Sequence, residues 1–120
     1  GVTGLDRIYY NSGLALYQDS FIQKAIEDYS KAIAINPGFS EAFNNRGSAL
    51  LEIGETQAAL KDFDSAIQLN PAYLNSYVGR ALALSKLGRH EEALEAHRKA
   101  CSMGWSASCK QSKTWQDVSR

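Results

Sequence analysis

The 120-residue chain is poor in the features that mark unusual protein classes. Two prolines and nine glycines are too few for a collagen-like or proline-rich disordered chain. No stretch approaches the ~18 consecutive apolar residues of a membrane helix. The opening Gly1-Val2-Thr3-Gly4 has neither the basic nor the apolar part of a targeting segment. An excess of one charge is also missing, since 13 basic residues balance 13 acidic ones. That balance removes the clustered Lys and Arg on which nucleic-acid affinity rests. The first sixty residues carry four basic and seven acidic groups and the rest nine and six, a dipole too weak to name a partner. A chain that begins with Gly1 rather than Met reads as a mature or trimmed product. What remains, 44% apolar and 22% charged residues, suits one globular domain.

What is present is a repeat. Asn36-Pro37-Gly38-Phe39 returns as Asn70-Pro71-Ala72-Tyr73, a period of 34 residues. The same period aligns Tyr9, Phe43 and Tyr77, then Gly13, Gly47 and Ala81, then Leu16, Leu50 and Leu84. It also aligns Ala25, Ala59 and Ala93, then Tyr29, Phe63 and His97, then Ala32, Ala66 and Ala100. Large residues fall at helical spacing within each unit, as in Ile22, Ile26, Tyr29 and Ile33. Each unit therefore holds two amphipathic helices, whose small residues let them approach closely. Gly54 and Gly88 suit the positive φ that ends the first helix of a pair, and Pro37 and Pro71 follow the second, which a proline cannot continue. Helices are expected near 6–18, 22–35, 40–52, 56–69, 74–86 and 90–102.

These columns resemble the tetratricopeptide repeat family, with its aromatic, Leu-Gly, Tyr, Ala, Phe, Ala and Pro pattern. The resemblance implies an all-α solenoid, a right-handed superhelix of antiparallel helix pairs, whose first helices line a concave face. It divides the chain into a leader (1–5), three repeats (6–39, 40–73, 74–105) and a C-terminal cap or frayed tail (106–120). Trp115 and Val118 would cover the last apolar face, although Ser106, Ser108, Ser112 and Ser119 weaken that helix. Ser12, Arg46 and Arg80 stand where the family has Leu, His97 where it has an aromatic, and Trp105 where a third proline would fall.

Catalytic chemistry has no visible seat: the chain lacks a glycine-rich phosphate loop, a nucleophile elbow and a paired-histidine metal motif. No cofactor or metal is expected. His90, His97 and Cys101 share one face of the sixth helix, but His97 fills the column of Tyr29 and Phe63 and reads as a packed ring. The turn from Cys101 to Cys109 is similar to the cysteine-bearing turn of Sel-one-like secreted helical repeats, which implies a disulfide. Two reduced cysteines packed as small hydrophobes are the other reading. Paired cysteines would imply a periplasmic or secreted protein and free ones a cytoplasmic one.

With the family columns consumed by packing, binding is expected from the variable positions of the first helices. These are Arg7, Tyr10, Asn11, Leu14 and Tyr17 in the first repeat, Asn44, Asn45, Ser48 and Leu51 in the second, and Asn75, Val78 and Leu82 in the third. Relatives that hold acidic chaperone tails clamp the terminal carboxylate with lysines, asparagines and an arginine. By that resemblance the clamp positions here carry Tyr10, Leu14, Asn75 and Gly79, and only Asn45 matches, which argues against chaperone C-terminal tails. A second family usage is an asparagine ladder along a peptide backbone; Asn11 and Asn45 fit it and Gly79 breaks it. The expected function is a non-catalytic module that docks a protein segment, as a monomer or weak homo-oligomer. The alternatives are a self-assembling repeat segment, and a metal or redox role through His97, Cys101 and Cys109.

Overall fold

Residues 4–109 are described by a computed structural model. Six α-helices run over Leu5–Gln18 (α1), Ile22–Ile35 (α2), Ser40–Glu52 (α3), Thr56–Leu69 (α4), Leu74–Lys86 (α5) and His90–Ser102 (α6), and a further helical turn covers residues 106–109. The positions agree with the sequence-based expectation except that α1 starts one residue earlier. No strand occurs among the described residues. Each pair, α1 with α2, α3 with α4 and α5 with α6, packs as a hairpin, and α2 on α3 and α4 on α5 stack the pairs into a body of 53 × 26 × 20 Å.

Two kinds of turn alternate. Within a pair the first helix ends on a left-handed residue, Gly54 (φ 83°) or Gly88 (φ 77°). The N–H that follows bonds five residues back, Glu55 to the Leu50 carbonyl and Arg89 to that of Leu84, both at 2.9 Å. Between pairs, the Asn36 and Asn70 side chains accept from the N–H of Gly38 (3.1 Å) and Ala72 (3.2 Å). In the first pair the left-handed position belongs to Ser20 (φ 67°), whose Cβ meets a steric cost that glycine avoids. Ser20→Gly is expected to stabilise the protein by about 0.5–1 kcal/mol in urea unfolding, less than the full left-handed cost because glycine also frees the unfolded chain.

The repeated small residues sit at contacts with rings. Ala25, Ala32, Ala59, Ala66 and Ala100 are fully buried. A Cβ on Gly13 would lie 2.7 Å from the Tyr29 ring, and one on Gly47 3.0 Å from the Phe63 ring. The residues that replace the family leucine form polar ties between helices, each spanning 16 positions. Ser12 donates to Asp28, Arg46 forks onto Asp62 at 2.7 and 2.8 Å and reaches Ser30 at 3.1 Å, and Arg80 meets Asp64 at 2.7 Å.

The third repeat ends differently. Gly104 (φ 108°) stands where Asn36 and Asn70 would recur, and the Trp105 N–H bonds five residues back to Ala100 at 3.1 Å, as in a within-pair turn. The next helical turn thus begins two residues after Gly104, whereas α3 begins four after Asn36. Cys101 and Cys109 are joined as a disulfide across this turn, with Cα atoms 4.7 Å apart. Of the expected cap, Trp115 and Val118 lie outside the described residues, as do positions 1–3 of the leader.

His97 packs as a buried ring in the aromatic column, its Nδ1 3.2 Å from the Ser108 hydroxyl, and burial pushes its pKa below the ordinary 6.5. The unfolded chain binds that proton more tightly, so the contribution is complete above about pH 6.5 and is lost as pH falls through the lowered native value. Urea midpoints are expected to drop between pH 7.5 and 5.5, and His97→Phe should flatten that slope.

Candidate functional site

The inner wall is formed by α1, α3 and α5, and a hollow opens in it between the second and third repeats. This hollow, of about 580 Å³, is lined by Tyr17, Asn44, Asn45, Ser48, Leu51, Glu52, Phe63, Asn75, Val78, Gly79, Leu82 and Lys86. A second hollow of about 200 Å³, lined by Leu14, Tyr17, Tyr29, Asn45 and Ser48, lies one repeat earlier. The two are related by the period: Leu14, Tyr17, Tyr29 and Asn45 return as Ser48, Leu51, Phe63 and Gly79. In the larger hollow Gly79 takes the place of the Asn45 amide and Phe63 that of the Tyr29 phenol, while Asn44, Glu52, Asn75 and Lys86 add polar lining that the smaller one lacks.

Nine of the twelve expected groove residues line these hollows; Arg7, Tyr10 and Asn11 do not. Tyr10 is 9% exposed and belongs to the core, its ring centroid 4.8 Å from that of Phe39 and 6.0 Å from that of Tyr29. It is drawn inward because Phe39, at the start of the next pair, supplies an apolar partner. Arg7 lies over the Phe39 ring at 5.0 Å and pairs with Glu41 at 4.0 Å, so it closes the end of the core. Asn11 is exposed outside both hollows.

A hydrogen-bonded chain crosses the groove floor and links all three inner helices. Ser76 Oγ donates to Asn44 Oδ1 (3.1 Å), Asn44 Nδ2 to Asn45 Oδ1 (3.1 Å), and Asn45 Nδ2 to the Tyr10 hydroxyl (3.0 Å). The chain fixes which way the Asn45 amide faces. Within it Asn45 accepts from Asn44 and donates to Tyr10, and its amide also hydrogen-bonds the Tyr29 hydroxyl, so what it keeps for a peptide unit is a lone pair on Oδ1. The ladder stops at Gly79 for a steric reason, since a Cβ there would stand 2.3 Å from the Phe63 ring.

Charge in the larger hollow is balanced, with Glu52 and Lys86 the charged residues of its lining. The Tyr17 hydroxyl donates to Glu52 at 3.3 Å, and burial, then the Glu52 charge, raise its pKa above the ordinary 10.0. Tyr29 is pushed up to about 12, by burial first and then by Tyr10. Tyr29 and Phe63, one in each hollow, are lining residues that column alignment missed, because both were assigned wholly to packing; the Gly79 that faces Phe63 was the available signal.

Tetratricopeptide repeat models match residues 6–39, 40–73 and 74–103. The chain belongs to the tetratricopeptide repeat family. No curated protein sequence matches it. Among solved structures, the Arabidopsis OM64 TPR domain is similar over 98% of this chain and 99% of its own, with a TM-score of 0.92 and 24% identity. The first TPR of Spaghetti (RPAP3), solved bound to the HSP90 peptide SRMEEVD, matches 95% of this chain and 92% of its own at a TM-score of 0.90 and 20% identity. MamA matches 95% of this chain and 68% of its own at a TM-score of 0.90 and 25% identity. The tetratricopeptide fold is that of a protein–protein interaction module, and domains of this kind are in general non-catalytic.

Proposed function

We propose that this tetratricopeptide protein docks an extended, largely uncharged segment of another protein in its inner groove, centred between the second and third repeats. The observation that carries the reading is the larger hollow, in which Leu51, Val78 and Leu82 offer apolar contact beside the Asn45 Oδ1 lone pair. Leu82 is 46% exposed in the absence of a ligand, so covering it supplies a hydrophobic gain. The asparagine contacts the main chain and is indifferent to ligand sequence, while the apolar patch selects one large side chain. An acidic chaperone tail fits poorly. At the clamp positions Tyr10 is turned into the core, Leu14 and Asn75 carry no charge, and Gly79 has no side chain.

Affinity near the micromolar range is expected for a short segment that must be ordered on binding, about −8 kcal/mol. The test is a displayed library of random heptapeptides selected on the intact protein. Leu82→Glu should weaken the selected peptides at least tenfold, and Lys61→Glu on the outer face should leave them unchanged. Equal binding by both variants would remove the groove from the proposal.

One feature favours a second reading, self-association or docking on neighbouring repeats. Ile8 is 62% exposed on α1, while Ala42 and Ser76 at the same register position are fully covered by the preceding pair. Light scattering across concentration decides it: a constant monomer mass opposes self-association, and a mass that rises with concentration and is suppressed by Ile8→Glu supports it.

A further inference from the structure

The geometry points to a thiol-responsive latch at the end of the stack: the Cys101–Cys109 bond holds residues 105–109 against α6, and reduction by a dithiol releases them. The turn before this segment lacks both devices that fix the two earlier turns between pairs. Asn36 and Asn70 receive N–H groups on their side chains, and Pro37 and Pro71 restrict the backbone. At the third turn the corresponding residues are Gly104 and Trp105.

The segment is also a weak helix. Two of its five residues are serines, and a helix start has little stability without tertiary support. The corresponding turn into the second repeat packs a buried aromatic, Phe39, into the core. Here the deeply buried side chain is Ser108, which offers the 3.2 Å contact with His97 and little apolar surface. The disulfide lies at the register of an apolar contact, with Cys101 in the column of Ile33 and Ile67. A covalent bond thus stands where the earlier repeats use packing. Both cysteines are only half-buried, so an external thiolate has access.

The step is ordinary thiol–disulfide exchange. One thiolate of the dithiol attacks a sulfur of the pair and the other sulfur leaves, taking up a proton. The second thiolate of the dithiol then resolves the mixed disulfide. Two electrons pass to the pair, leaving two cysteine thiols, and the dithiol ends as its own disulfide. Undocking of residues 105–109 uncovers His97 on α6.

The test is amide hydrogen exchange on the full chain, before and after dithiothreitol and again after reoxidation. The expected result is exchange at least tenfold faster at Trp105, Ser108 and Cys109 on reduction, no change at Phe63 and Leu84, and recovery on reoxidation. A Cys101→Ser/Cys109→Ser double variant should match the reduced protein with or without dithiothreitol. Unchanged exchange on reduction would show that packing alone holds the segment. Acceleration throughout α5 and α6 would make the bond a staple of the whole fold instead of a latch. Two titratable thiols in the air-oxidised protein would remove its basis.

Discussion

Phe63→Ala lowers the unfolding free energy by about 3–5 kcal/mol, the cost of deleting a fully buried ring whose surroundings collapse only in part. The ring is 0% exposed and touches glycines on both neighbouring inner helices, Gly47 on α3 and Gly79 on α5. No other described aromatic is held between two glycines in this way. The loss falls at the junction of the second and third repeats, so a large part of the net stability of a small domain goes with it. The same geometry predicts coupling. Gly79→Ala places a methyl within 2.3 Å of the ring and is expected to cost about 1–3 kcal/mol. In a Phe63→Leu background that cost should shrink, giving a coupling energy of about 1 kcal/mol in a double-mutant cycle. Urea unfolding of the four proteins measures it; additive costs would mean that the two residues do not share the space.

Arg46→Met has the second-largest expected effect, about 3 kcal/mol, because it leaves a buried carboxylate without its cation. The Asp62 side chain is 6% exposed and takes both of its close contacts from the Arg46 fork. Removing both charges, in Arg46→Met/Asp62→Leu, should recover most of the loss, since a well-packed apolar pair avoids desolvating two ions. Arg80→Ala is the contrast. Its partner Asp64 is 51% exposed, and solvent screening should hold the cost under about 1 kcal/mol. Chemical denaturation separates the cases, and equal losses for Arg46→Met and Arg80→Ala would contradict the burial argument.

The helices were legible because the columns of a repeat report on packing that recurs. Alanine at 25, 59 and 93 and glycine at 54 and 88 each mark a contact or a turn made again 34 residues later. What the columns conceal is contact between unlike positions. Tyr10 lies in the core because Phe39 and Tyr29 converge on it from the next pair and from its own partner helix, a relation that aligning Tyr10 with Asn44 and Val78 does not display. Gly79 reads as a gap in an asparagine ladder until the Phe63 ring is seen to occupy its side-chain space. Ser12, Arg46 and Arg80 read as lapses from the leucine pattern, although an acid lies 16 positions away from each, Asp28 and Asp62 ahead and Asp64 behind. Ser20 could have been found by alignment with Gly54 and Gly88, and Gly104 by its break with Asn36 and Asn70. Leu51, Val78 and Leu82, expected in the groove because they stand outside every family column, do line the larger hollow.

The most direct test of the groove is an amide and methyl NMR map of the protein titrated with its tightest selected heptapeptide. Shifts concentrated at Asn45, Ser48, Leu51, Val78 and Leu82, with a change in the Asn45 side-chain amide signals, are the predicted result. Shifts confined to the outer helices α2, α4 and α6, with the inner wall silent, would contradict it.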